Sequence, residues 1–333
     1  MRPEHDSALA EVRYLRGLEL MESGCAEADA ESEWRHAAEA GYVLAQYNLG
    51  VLLHDRGDED SQTEAHFWWR RAAGAGDAGA QFNLGLILHK TGDPQLLAET
   101  EYWWRRGAEA GHCNAQYNLG VLLDDRGDVD AQQEARVWWR RAAGSGHVGA
   151  QYNLGVIQSD ENPEEAESCW RRAAANGHVE AQYNLGVLLY ERGDAEAELW
   201  WHRAADAGHL NAQHDLGVMH HLRADTASLD RAEWWWRRAA GGGQCDAQFD
   251  LAALLYARGD ASSVAEAQLC WREAARCGHV IAQFNLGVLL VARGDDSSIS
   301  EAKLWWIEAA KAGHAQARFN LDGLAALTEL PRQ

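Results

Sequence analysis

The chain is predicted to be an all-α solenoid of about nine helix–turn–helix repeats, with 35- and 31-residue periods, plus a C-terminal capping helix. Three observations predict it. The stretch Ala115-Gln116-Tyr117-Asn118-Leu119-Gly120 recurs almost unchanged from Ala45, Ala80, Ala150, Ala181, Ala212, Ala247, Ala282 and Ala317, with steps of 35, 35, 35, 31, 31, 35, 35 and 35 residues. Each copy is followed by a second landmark of the type Trp103-Trp104-Arg105-Arg106, and then by Gly-His or a relative. Within one unit Ala45, Leu49, Leu52 and Leu53 share one helical face, and Ala65, Trp69, Ala72 and Ala73 share another.

The elements follow in order. Residues 1–42 read as a degenerate N-terminal capping repeat: a helix from Ser7 to Glu22, a break at Gly24-Cys25, and a partner from Ala26 to Ala40 carrying Trp34. A divergent end suits a stack whose last face meets water. Residues 43–314 form the repeat solenoid. In its first unit the leading helix closes at Arg56-Gly57-Asp58, because Gly57 can take the left-handed conformation. A polar loop is expected next, then a second helix from about Thr63 to Gly74. Small Gly50 and Ala65 let the two helices approach, and Trp69 fills the space beside them. The two 31-residue steps are expected to shorten only the inter-helix loop. Asn162 caps and Pro163 takes the first helical position in one, and Gly193-Asp194-Ala195-Glu196-Ala197 makes a minimal link in the other. Residues 315–333 supply the capping helix, to about Thr328, and a tail.

Composition narrows the function. A chain of 333 residues would suggest two domains, but in a repeat array each unit contacts its neighbours and that prior lapses. The net charge of −21 argues against phosphate-backbone binding, so no nucleic acid is expected. The first residues lack the apolar run of a signal peptide, and no stretch reaches 18 apolar residues, so no membrane span is expected. Six Cys are scattered without a metal-type pair. Cys270 and Cys277 would stand about 10 Å apart along one helix, too far to bridge, so reduced thiols in a cytoplasm are expected. The phosphate-loop, Rossmann, His-Glu-x-x-His and Gly-x-Ser-x-Gly patterns are all missing. The Gly-His residues His112, His147, His178, His209, His279 and His314 lie a repeat apart, too far to share a metal. His214 and His221, with His220 adjacent, make only a weak surface zinc or nickel pair. No catalytic residue, metal or cofactor is therefore expected.

Ala-Gln-Tyr-Asn-Leu-Gly, then Arg-Gly-Asp, then Glu-Ala and an aromatic pair before Arg-Arg-Ala-Ala resembles the tetratricopeptide repeat. The turn Ala142-Ala143-Gly144-Ser145-Gly146-His147-Val148-Gly149-Ala150-Gln151 points to its Sel-one-like branch. The resemblance covers roughly residues 26–328. It departs from the family in lacking the common Gly-x-Gly-Val loop segment and the paired Cys of the secreted cysteine-rich members. It implies a right-handed superhelix and a scaffold or adaptor that binds other proteins, without chemistry of its own.

Repeat copies can be compared with one another. Leu49, Gly50, Trp69, Ala72 and their equivalents hardly vary and read as core. The series Tyr47, Phe82, Tyr117, Tyr152, Tyr183, His214, Phe249, Phe284, Phe319 reads either as groove lining or as packing between first helices; both remain open. On the same side, the variable pairs run from His54-Asp55, His89-Lys90, Asp124-Asp125, Ser159-Asp160 and Tyr190-Glu191 to His221-Leu222, Tyr256-Ala257 and Val291-Ala292. They change from polar and acidic to apolar. A concave groove lined by them would match a protein or peptide partner with a basic part and an apolar part. The candidate partner-binding residues are Tyr117, Asp124, Asp125, Tyr152, Asp160, Tyr183, Tyr190 and Glu191. The Arg row, exemplified by Arg70-Arg71 and Arg105-Arg106, is expected to pair with Glu and cover Trp faces. The alternatives are an enzyme or small-molecule binder resembling the β-lactam-binding members, and RNA binding through the Arg row.

Overall fold

The computed structural model describes residues 2–24 and 27–328. Cys25 and Ala26, read above as a break and a helix start, lie outside the described residues, as does the tail from residue 329. The described residues form nineteen α-helices. They run as α1 (Arg2–Glu22), α2 (Glu27–Glu39), α3 (Val43–Arg56), α4 (Glu59–Gly74), α5 (Ala78–Lys90), α6 (Leu97–Glu109), α7 (Cys113–Asp124), α8 (Val129–Gly144), α9 (Val148–Glu161) and α10 (Pro163–Ala175). Then follow α11 (Val179–Glu191), α12 (Glu196–Asp206), α13 (Leu210–Arg223), α14 (Thr226–Gly241), α15 (Cys245–Arg258), α16 (Ala261–Arg276), α17 (Val280–Arg293), α18 (Asp296–Lys311) and the unpartnered α19 (Ala315–Thr328). Helix pairs stack on their neighbours within two compact units, residues 1–173 and 174–333.

Two expectations about the loops need correction. The loop after Arg-Gly-Asp is almost absent. Gly57, at φ 80°, ends α3, and Asp58 caps α4 through a 2.9 Å bond from Ser61 N to Oδ1. The polar residues taken for loop are the first turn of α4, where acidic side chains suit the helix N-terminus. For the same reason the 31-residue repeats shorten the second helix as well as the link: α10 has 13 residues and α12 has 11, against 16 in α4. Asn162 does cap α10, accepting from Glu165 N at 3.3 Å, with Pro163 at the first position.

The core repeats one contact. A methyl added to Gly50 would lie 2.5 Å from the Trp69 ring, and Gly85 and Gly120 meet Trp104 and Trp139 equally closely. The ring therefore occupies the space that a side chain on the first helix would need. Each such Trp is nearly fully buried, which removes roughly 150–250 Å² from water and contributes about 4–6 kcal/mol. The indole N–H is satisfied too: Trp69, Trp104, Trp139, Trp236 and Trp306 Nε1 donate to the carbonyls of Tyr47, Phe82, Tyr117, His214 and Phe284 at 3.0–3.3 Å. Trp271 Nε1 has no partner among the described residues, and there Ala252 stands in place of the glycine. The other two bonds lost, at Trp170 and Trp201, fall in the two 31-residue repeats.

The Arg row behaves as expected. Arg70 pairs with Glu99 at 2.8 Å, Arg105 with Glu101 and Glu134, Arg237 with Glu233 and Glu266, and Arg272 with Glu301 at 2.9 Å. The same glutamates accept from the first Trp of the pair, as in Trp103 Nε1 to Glu99 at 3.2 Å and Trp138 Nε1 to Glu134 at 3.1 Å. The second Arg covers an aromatic face: Arg141 lies 4.7 Å above Trp138 and Arg203 4.5 Å above Trp200.

One cysteine expectation fails. Cys245 and Cys277 form a disulfide, with Cα atoms 6.2 Å apart. Spacing along α16 and its C-cap keeps Cys277 from Cys270 but says nothing of Cys245 on α15. A stack brings residues about one repeat apart together, and these two are separated by 32. Cys113, Cys169 and Cys270 are free.

Candidate partner-binding site

In the first unit, the Gly-His turn and the aromatic series turn out to be one device. His112 and His147 cap α7 and α9 by accepting from Ala115 N and Ala150 N, both at 3.2 Å. Burial holds both imidazoles below their ordinary pKa, which suits a neutral ring accepting at Nδ1. The capping ring then stacks on the aromatic of the preceding first helix: Phe82 on His112 at 4.7 Å and Tyr117 on His147 at 4.2 Å. Tyr117 is thus half-buried and engaged between repeats. Tyr152 occupies the equivalent half-buried position on α9.

The acidic candidates sit differently. Asp124 is half-buried, and Asp125 and Asp160 are exposed at the C-terminal ends of α7 and α9. Asp125 lines a shallow cleft with Leu86 and His89 of α5, Trp104 of α6, and Asn118 and Val121 of α7. A matching cleft one repeat earlier is lined by Tyr47, Val51, His54 and Asp55 with Asn83 and Lys90. Where the first member of a variable pair is aromatic it covers the core Trp: His54 lies 5.2 Å from Trp69 and His89 5.1 Å from Trp104. The second member faces water. The second-helix glutamates Glu31, Glu64, Glu101, Glu134 and Glu233 are engaged by Arg, whereas Asp55, Asp124, Asp125 and Asp160 have no side-chain hydrogen bond or ion pair among the described residues.

In the second unit, Tyr183 stacks on His209 at 4.3 Å, and its hydroxyl donates to Asp215 Oδ2 at 3.1 Å. Burial and the Asp215 carboxylate push its pKa up to about 12. His214, which replaces a Tyr or Phe, lies 3.2 Å from Asp215 Oδ1 and 2.9 Å from Asp250 Oδ2. Burial opposes its charge, but the two carboxylates outweigh burial and push the pKa up to about 9, so the ring is an imidazolium held between two aspartates. Tyr190 is 47% exposed with its ring 5.0 Å from Trp201, and Glu191 beside it is exposed. Farther along, Leu222 is 67% and Tyr256 48% exposed.

Sequence reasoning missed the residue after each aromatic. Asn83 and Asn118 line the first unit's clefts, and Asp215 and Asp250 hold the second unit's charged network. The signal was available: Asn recurs in Gln-Tyr-Asn-Leu-Gly and becomes Asp in two successive copies.

The comparisons agree with this architecture. The Sel1 repeat family model matches residues 43–77, 78–112, 113–147, 148–178, 179–209, 210–244, 245–279 and 280–314. A protective antigen of uropathogenic Escherichia coli with an SLR fold is 27% identical, with a TM-score of 0.83 over 96% of this chain and 73% of that one. A Sel1 repeat protein from Oxalobacter formigenes is 28% identical, with a TM-score of 0.64 over 92% of this chain and 93% of that one. No curated protein matches significantly. No described helix is long and apolar enough to cross a membrane.

Proposed function

Because the chain belongs to the Sel1 repeat family, whose members are generally helical repeat scaffolds for protein interaction, we propose that it is a non-catalytic adaptor gripping a partner protein through the first-helix faces of its repeats. The observation that carries this reading is the contrast in carboxylate use. On the second helices Glu31, Glu64, Glu101, Glu134 and Glu233 are engaged by Arg, while Asp124, Asp125 and Asp160 on the first helices have no ion pair among the described residues, and Asp125 lines a shallow cleft. Unpaired acids on a rigid face attract a basic segment and set its register. In the second unit, Tyr190, Glu191, Leu222 and Tyr256 offer an apolar and aromatic face with one acid, suited to an amphipathic or apolar segment. Tyr117, Tyr152 and Tyr183 contribute ring edges, since their faces are engaged or half-buried.

The test is capture from lysate by the full chain, compared with Asp125→Lys/Asp160→Lys. Both side chains are exposed, so helicity should be unchanged. A partner retained by the wild type, lost from the variant and weakened by salt supports the proposal. Equal capture by both proteins removes the acidic face from the function. The runner-up, small-molecule binding as in the β-lactam-binding members, gains one observation, the Cys245–Cys277 bond. Turnover of a chromogenic β-lactam would support it.

A further inference from the structure

One repeat breaks the Arg–Glu pattern at both ends. Where other repeats carry Arg70, Arg105, Arg237 and Arg272, this one has His202; where Glu99, Glu134, Glu266 and Glu301 receive those arginines, the next repeat has Arg231. A third exception lies alongside. His220 takes the position held by the core residues Leu53, Leu123, Leu189, Leu255 and Leu290, and is 2% exposed. An imidazole in place of a buried leucine is costly unless its nitrogens are used. Its one hydrogen bond among the described residues is long, 3.4 Å between Nδ1 and Arg223 Nη1.

These departures converge. Glu198 and His202, four residues apart on α12, project toward His220 on α13, and one ligand atom from each lies within 4.8 Å of the others. His202 Nε2 is 3.9 Å from Glu198 Oε1. A tetrahedral ion with bonds near 2.0–2.1 Å sets its ligand atoms about 3.3 Å apart, so small rotations of the half-exposed Glu198 and His202 would complete the set around the fixed His220. We propose that Glu198, His202 and His220 bind one divalent transition-metal ion of the zinc class, clipping α12 to α13. Two imidazoles and a carboxylate favour zinc, nickel, cobalt or copper over magnesium or calcium. Arg223 is the built-in competitor: it holds Glu198 Oε2 at 2.8 Å and must turn outward when the ion enters.

The test uses the full chain, freed of metal, titrated with Zn²⁺ by calorimetry and with Co²⁺ by visible absorption. One equivalent per chain should bind, and the melting temperature should rise with free Zn²⁺. His220→Leu restores the residue found at equivalent positions, so it should fold; it should weaken this site by about 100-fold or more. His202→Ala should do the same, whereas Arg223→Ala should strengthen binding several-fold. Binding unchanged in folded His220→Leu, or no binding to the wild type at about 100 μM Zn²⁺, overturns the proposal.

Discussion

Gly120→Ala isolates the glycine–tryptophan contact that recurs along the stack. The new methyl would lie 2.5 Å from Trp139 Nε1 and 2.6 Å from Cδ1. Helix propensity alone favours Ala over Gly by about 0.5–1 kcal/mol. Against this, forcing a methyl into a filled core costs about 1–3 kcal/mol. The displaced ring would also lose its 3.2 Å bond to the Tyr117 carbonyl, leaving a buried N–H unpaired at about 1–3 kcal/mol. The expected net loss is about 2–4 kcal/mol. The natural Ala252, opposite Trp271 with its unpartnered Nε1, shows that the fold survives the change. Repeat arrays need not unfold as one unit, so urea denaturation followed by circular dichroism should be joined by native-state hydrogen exchange on α7 and α8. Gly144→Ala is the control: at the end of α8 nothing lies within 4 Å of the added methyl, and it should be neutral or stabilising by up to about 1 kcal/mol. If Gly120→Ala is as stable as the wild type or as Gly144→Ala, the close-approach argument is wrong.

Two further predictions concern titration and redox state. His214, raised from 6.5 to about 9, contributes stability that is complete below pH 6.5 and is lost as pH climbs through about 9; Asp250→Asn, which leaves Asp215 in place, should lower the His214 pKa in an NMR titration and shrink that alkaline loss. His112, His147 and His209 have lowered values, largely through burial, so their contribution is present above pH 6.5 and is lost on acidification; protection of α7, α9 and α13 amides should fall first there. Mass spectrometry of unreduced peptides should find Cys245 joined to Cys277, and Cys277→Ser should cost about 3–4 kcal/mol for a loop of this length. Finding only free thiols in protein taken from its native cell would restore the cytoplasmic expectation, since such bonds are rare in reducing compartments.

The readings that succeeded and failed divide by distance along the chain. Gly50, Ala65 and Trp69 were recognisable as core because helical periodicity places them on facing stripes within one helix pair. The first turn of α4 was misread as loop because Glu59, Asp60 and Ser61 look polar, although Asp58 followed by them is also what a capped helix start looks like. The aromatic series remained ambiguous in the sequence. Only the stacking of Tyr117 on His147 and Tyr183 on His209 settled that their faces are engaged between repeats.

By itself, the sequence determined the period, the helix faces, the glycine–tryptophan core and the helix-ending glycines, all of which are encoded within one repeat. Tertiary structure decided which side chains meet across repeats. Arg105 finds Glu134 at a separation of 29, Cys245 finds Cys277 at 32, Tyr183 finds Asp215 at 32, and His214 finds Asp250 at 36. Those separations bracket the repeat length: Tyr183–Asp215 and His214–Asp250 join equivalent points across a 31- and a 35-residue step, whereas Arg105–Glu134 joins other points on the helix surface. Periodicity fixes which way a side chain faces along its own helix, but the stacking geometry fixes which neighbour it reaches.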